Sequence, residues 1–350
     1  MSRKIVSVFL GFLIILLCIF PTVALDVEIV GKPEIIHQSV SDSFVRLALS
    51  DPHYLVMSQY QPGVNEAGIV YLYNISSGEL SIVPAATSFS KAVVANGTVF
   101  FRQSDGFYSY SPVSDTLTKL NVSIEPILTG FVTDGVHFIT MWGDYWPRNL
   151  TFTLYDLRTG DRKQIYPGGY PDPNGPMMLS GNYFVYSDSG MLVSDPSKRY
   201  LYAYNISSGE TVTLPKEEGY SQYLCNMWGD TIVYELYCLA ENAYPDPPER
   251  RILNLITQET ESLVLPDGMH PSQVYPPYAL MPWWDESSGI TTVKCVEIDL
   301  PLVVLSSPVP PATEQTLFPE TTQTTFPIGM FVGLIAVVSA CVRSDLRRKK

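Results

Sequence analysis

Tyr73-Asn74-Ile75-Ser76-Ser77-Gly78-Glu79 and Tyr204-Asn205-Ile206-Ser207-Ser208-Gly209-Glu210 are the same string, YNISSGE, met twice in one chain. Tyr155-Asp156-Leu157-Arg158-Thr159-Gly160-Asp161 repeats the pattern with conservative changes. Each copy reads as an aromatic strand ending in a polar turn, with Gly where the backbone needs a positive φ, followed by another strand. Weaker copies run from Tyr110 to Thr116 and from Leu255 to Glu261. The aligned turn positions are Gly78, Asp115, Gly160, Gly209 and Gln258, spaced 37, 45, 49 and 49 residues apart.

A second marker precedes each copy. Turn residues near Pro52, Gly97, Gly135, Asn182 and Asp230 lead into the apolar strands YLVMSQY, TVFFRQ, VHFITMW, YFVYSDS and TIVYELY. Each unit therefore predicts strand A, a tight turn, strand B, a variable loop, strand C, the polar turn and strand D. A sixth, degenerate unit fits YALMPWW from Tyr278, GITTVKCVEI from Gly289 and LPLVVL from Leu300. A four-stranded unit of this length cannot bury both faces alone, and radial stacking solves that problem. The expectation is an all-β fold: a β-propeller of six four-stranded antiparallel blades over residues 26–305. Two packed β-sandwiches are the alternative. VEIVGKPEII, from Val27, is available to close the ring.

The ends of the chain set its expected location. Arg3 and Lys4 precede an apolar run from Ile5 to Phe20, and Thr22-Val23-Ala24 offers small residues for cleavage. Residues 1–24 read as a secretory signal peptide, with an uncleaved anchor as the alternative. Phe326 to Val342 is apolar apart from Ser339, and Arg343, Arg347, Arg348, Lys349 and Lys350 follow. This predicts a transmembrane helix over 326–342 with a basic cytoplasmic tail, 343–350. Residues 306–325, rich in Pro and Thr, read as an extended stalk. The protein is thus expected at the cell surface, single-pass, with an extracellular N-terminal ectodomain.

Composition narrows the function. The 350 residues carry 22 Lys plus Arg against 35 Asp plus Glu, a net charge of -13. Two basic residues fall in the signal segment and five in the tail. The expected ectodomain therefore stands near -19. That balance argues against a nucleic-acid partner. Of 11 Asn, five stand in Asn-x-Ser/Thr sequons: Asn74, Asn96, Asn121, Asn149 and Asn205. They are the candidate glycosylation sites. Cys225, Cys238 and Cys295 are an odd number outside the apolar runs, and buried free thiols are expected. The hairpin register brings Cys238 nearer Gln222 than Cys225.

No motif for a metal, a cofactor or a catalytic nucleophile emerges. His37, His53, His137 and His270 form no helical ligand pair. The best candidate surface follows from topology: B–C loops and D–A connectors share one end of a propeller, and A–B and C–D turns share the other. Three long segments at the first end carry Tyr145 and Trp146, Tyr170 and Asp172, and Tyr244, Asp246 and Glu249. Exposed aromatics beside acids suit carbohydrate or peptide recognition. The primary expectation is a non-enzymatic surface protein that binds a surface-layer protein or glycan. The alternative is an extracellular polysaccharide hydrolase or lyase on the same scaffold.

The repeated unit, with its aromatic C strand ending Asn/Asp-x-x-Ser/Thr-Gly-Glu/Asp, resembles the blades of the TolB-like, WD40-like propeller superfamily over roughly residues 35–305. The Gly-His and Trp-Asp signature of true WD40 repeats is missing. The whole layout looks like that of surface proteins of methanogenic archaea. In those, a comparable C-terminal segment is cut by an archaeosortase and replaced by lipid, and Phe326-Pro327-Ile328-Gly329 loosely resembles the recognition motif.

Overall fold

A computed structural model describes residues 25–300 apart from 27, 31–33, 40–43, 49, 61–67, 88–91, 124–127, 144–149, 169–175, 188–199, 239–248, 266–272 and 286. The signal, stalk, membrane-helix and tail segments read from the sequence lie outside the described residues. Among the described residues no helix is long and apolar enough to cross a membrane. The chain divides into a unit from Met1 to Pro311, which holds every described strand, and a unit from Ala312 to Lys350.

Six sheets follow one another along the chain. The N-terminal segment contributes β1 (Leu25–Asp26), β2 (Glu28–Ile29) and β3 (Glu34–Gln38) to the last two sheets. Blade one is β4 (Phe44–Ala48), β5 (Tyr54–Tyr60), β6 (Ile69–Asn74) and β7 (Glu79–Thr87). Blade two is β8 (Ala92–Ala95), β9 (Thr98–Gln103), β10 (Gly106–Ser111) and β11 (Thr116–Lys119). Blade three is β12 (Leu128–Thr133), β13 (His137–Trp142), β14 (Thr151–Asp156) and β15 (Arg162–Ile165). Blade four is β16 (Met177–Ser180), β17 (Tyr183–Ser187), β18 (Leu201–Asn205) and β19 (Thr211–Thr213). Blade five is β20 (Tyr220–Trp228), β21 (Thr231–Cys238), β22 (Arg250–Asn254) and β23 (Thr260–Val264). Blade six begins with β24 (Gln273–Tyr275), β25 (Tyr278–Asp285) and β26 (Ile290–Asp299).

The first strand of each blade packs on the first strand of the next, from β4 through β24. The ring closes where Gln273 Nε2 donates to the Leu47 carbonyl at 3.2 Å, joining blade six to blade one. This is a six-bladed β-propeller. A hydrophobic cluster fills each wedge: Val56, Val70 and Leu72 meet Val94 and Phe101 between blades one and two. The largest cluster runs from Val233 and Ile252 through Val274 and Val296 to Leu55 and Met57, binding blade five to six and six to one.

The fourth strand of blade six comes from the N-terminal segment. Residues 301–305, read as part of it, lie outside the described residues. β3 pairs antiparallel with β26, Thr292 opposite Gln38 and Cys295 opposite Glu34. The N-terminal stretch expected to close the ring does so: β2 also pairs with β26, Glu28 opposite Asp299, and Ile36 of β3 reaches the core. β1 adds a short parallel pairing outside β23, Leu25 opposite Leu263.

The repeat works as a backbone device. Asn74 Oδ1 accepts the N–H groups of Ser76 and Ser77 at 3.0 and 3.1 Å, and Gly78 N–H returns to the Asn74 carbonyl at 2.9 Å. Asp156, Asn205 and Asn254 do the same in blades three, four and five. The five aligned positions all carry positive φ, including the non-glycines Asp115 and Gln258. The next residue of each turn then donates to an A–B turn: Ile75 to His53, Leu157 to Val136, Ile206 to Asn182 and Leu255 to Asp230, at 2.7–2.9 Å. A–B and C–D turns thus share one end of the ring, and the long loops spring from the other.

Two glycines separate conformation from contact. Gly160, at φ +76°, has open space where a Cβ would go. Gly135, at φ +87°, would drive a Cβ to 2.8 Å from Asn96 Nδ2, which donates to the Asp134 carbonyl. Gly160→Ala is expected to cost about 1 kcal/mol and Gly135→Ala about 3 kcal/mol, since only the latter also breaks a tie between blades. Chemical denaturation of the two variants checks the order.

Candidate functional site

Glu249 is the one sequence-predicted ligand residue among the described residues. It starts the return of the long B–C loop of blade five, and its carbonyl accepts Leu236 N–H at 3.0 Å. Its carboxylate accepts Arg251 Nη2 at 3.2 Å, and Arg251 holds both Glu217 oxygens at 3.0 and 3.2 Å. Beneath them the buried Arg250 pairs with Glu235. Burial, helped by the Glu235 charge, pushes the neighbouring Cys225 thiol up to about 12, so it stays protonated. Cys225, Cys238 and Cys295 are all free. Cys238 stands opposite Tyr220, nearer Gln222 than Cys225 as expected, and a bulge between Leu224 and Asn226 shifts the register there by one residue. This end of blade five is an ion-paired buttress. Tyr145, Trp146, Tyr170, Asp172, Tyr244 and Asp246 lie outside the described residues.

A groove on blade three runs from the long-loop end, at Trp142, to the C–D turn end, at Tyr155 and Arg162. Trp142 and Thr151 face each other at the root of the loop that carries Tyr145 and Trp146. The groove has a volume of about 390 Å³. Thr153, Gln164, Tyr155 and Arg162 line the rest of it. The floor is Tyr155, only 5% exposed, which packs with Phe107, Leu120 and Val122 of blade two. Trp142 is half-buried, and its indole N–H donates to Thr153 Oγ1 at 3.3 Å, which fixes the ring. The exposed Arg162 reaches across the wedge, Nη1 donating to Ser123 Oγ at 3.1 Å. Lys163, also at this groove, sends its ammonium the other way, to the Ile206 carbonyl of blade four at 3.3 Å. Sequence reading missed these residues because the alternation that marks a strand's core face leaves its other face unmarked.

His37 and His137 sit elsewhere. His37 is buried, 3.0 Å from Gln59 Oε1 and against the Tyr71 ring. Burial holds its pKa below the ordinary value. His137 Nδ1 lies 3.2 Å from Asp134 Oδ2, and that bond holds its pKa above the ordinary value. The two pull stability in opposite directions. The raised pKa of His137 gives stability that is complete below about pH 6.5 and fades as pH rises through the folded value. The lowered pKa of His37 costs stability as pH falls below about 6.5. The difference in melting temperature between wild type and His137→Gln is therefore expected to be larger at pH 5 than at pH 8. For His37→Gln the trend reverses. Thermal unfolding across that range measures both.

The sequons also find their places. Asn74, Asn96 and Asn205 lie at the turn end, the first and last with Oδ1 capping their own turns. Asn96 Nδ2 donates to the Asp134 carbonyl at 2.9 Å. Asn121 is exposed just after β11. Asn149 lies outside the described residues.

No family model matches the chain, and no curated protein matches its sequence. Solved structures do resemble it. An oligogalacturonate lyase in complex with manganese is 10% identical, with a TM-score of 0.47 over 77% of this chain and 99% of that one. TolB from Acinetobacter baumannii is 11% identical, with a TM-score of 0.43 over 73% of this chain and 65% of that one. An oligogalacturonate lyase from Vibrio parahaemolyticus is 10% identical, with a TM-score of 0.42 over 79% and 97%. At that distance none of their chemistry transfers to this chain.

Proposed function

We propose that the chain is a non-enzymatic cell-surface protein whose propeller binds a surface-layer protein or glycan. In this reading residues 1–24 are removed on secretion, residues 306–325 form a glycan-bearing stalk, and residues 326–342 cross the membrane. At about 3.1 Å per residue the stalk would hold the ring up to about 60 Å from the lipid. The observation that carries the binding role is the groove on blade three: an aromatic, two hydroxyls, an amide and a guanidinium line it in sequence along the blade, open to solvent. Binding is favoured over turnover because the buried His37 and the half-buried His137 are already engaged by Gln59 and Asp134.

The test truncates the gene after Pro308 and fractionates cells. Release of folded propeller into the medium, together with its retention by isolated wall or surface-layer material, is the expected result. Truncated protein that stays on the membrane would mean that Ile5–Phe20 is the anchor. Released protein that no wall fraction retains would overturn the binding role.

A further inference from the structure

We propose that the groove along blade three recognises an acidic saccharide, a reading that rests on the surface-binding role above and gives it a ligand class. Trp142 supplies the stacking platform. Its indole N–H is already committed to Thr153, so the ring is held in one orientation and offers its π face to the apolar side of a sugar ring. Thr151 stands opposite it on the next strand, and Gln164 lies one strand further on, opposite Thr153. Hydroxyl and amide groups match the hydroxyls of a sugar. Arg162 supplies the charge. Its bond to Ser123 positions the guanidinium at the groove, and among the described residues its further N–H donors are left to meet an anion. The planar fork suits a carboxylate or a sulfate, both of which bridge two donors.

Charge makes this choice specific. The protein carries a net -13, so its general field repels polyanions. An anionic ligand therefore binds only where a local cation outweighs that field, and Arg162 lines the same groove as the aromatic platform and the polar wall, at its other end. A neutral saccharide would use the platform and the hydroxyls and gain nothing from Arg162. The groove volume of about 390 Å³ falls in the range of small-ligand sites, which fits one or two rings of a longer polymer.

The experiment uses the secreted propeller made in a host without N-glycosylation, so that nothing attached at Asn121 reaches the groove. Titration calorimetry compares a soluble polyuronate, a sulfated polysaccharide and neutral dextran. The expected result is binding to one or both acidic polymers, weakened by salt, and weaker binding of dextran. Arg162→Gln should lower affinity for the acidic polymer about tenfold, the effect of one charge-assisted pair, and leave dextran unchanged. Trp142→Ala should weaken every saccharide. Gln164→Ala, at an exposed position that the fold does not need, should cost a few-fold and serves if Trp142→Ala misfolds. The uronate and sulfate arms show which anion the fork accepts. Equal binding of dextran, or acidic binding untouched by Arg162→Gln, would overturn the proposal. If wall material still retains a propeller whose groove variants bind normally, the surface-binding role stands and this site assignment falls.

Discussion

Asp51→Ala should cost the propeller roughly 4 kcal/mol, more than any other single change at the turn end. Asp51 is 2% exposed. Its Oδ1 accepts His53 and Tyr54 N–H at 2.8 and 3.2 Å within blade one, and its Oδ2 accepts Gly97 N–H of blade two at 2.7 Å. Removing the carboxylate orphans three donors in a part-buried place, each at about 1–3 kcal/mol before any relaxation. Burial and the charge of Asp51 together hold the Tyr275 phenol of blade six above its ordinary range, so the same carboxylate also lies beside the ring's closing blade. For a domain of this size about 4 kcal/mol corresponds to a fall in melting temperature of very roughly 8 °C. Asp51→Asn keeps one acceptor and should recover part of the loss. Thermal unfolding of the two variants decides it, and an alanine variant within a degree of wild type would refute this role for Asp51.

A chain lacking residues 25–38 should fail to stay soluble, or should melt far below the intact ring. Loss of β3 removes the outer strand of blade six and exposes the edge of the ten-residue β26. An uncovered edge of that length is a template for aggregation. The deletion also takes away Ile36, 8% exposed in the cluster that joins blades five, six and one. The His37–Gln59 bond across the blade six to blade one wedge goes with it. One buried aliphatic and a strand's worth of ladder bonds come to about 5 kcal/mol or more. A synthetic peptide of residues 25–39 added during refolding should rescue solubility. A truncated chain that is monomeric and as stable as wild type would show that the ring does not depend on its N-terminal strand.

Much of the fold was legible because it rests on local chemistry. Gly78, Gly160 and Gly209 mark positions where the backbone turns left-handed, and their spacing counts the blades. The A–B turns at Gly97, Gly135, Asn182 and Asp230 announced themselves by the same turn chemistry. Long-range pairings were harder. Nothing local marks Asp51 as the acceptor for a glycine 46 residues away. Asp285-Glu286-Ser287-Ser288-Gly289 has the turn pattern of YNISSGE, with Asp285 Oδ1 accepting Ser287 N–H at 2.9 Å, yet it joins the second and third strands of its blade and lies at the opposite end. A turn motif encodes a turn, and only the strand count encodes which end of the ring it occupies. The candidate site was half legible. The sequence pointed to the loop bearing Tyr145 and Trp146, while the groove at its root is built from outward-facing strand positions that carry no periodic signal of their own.

The central claim, that ligand is held in the groove along blade three, is tested most directly by hydroxyl-radical footprinting of the propeller with and without the acidic polymer that it binds. Trp142 lines the groove, and Trp283, 69% exposed on blade six, is an internal control. The account predicts that ligand slows oxidation of Trp142 and leaves Trp283 unchanged. Unaltered oxidation of Trp142 in the bound state, or protection that falls on Trp283 instead, would contradict it.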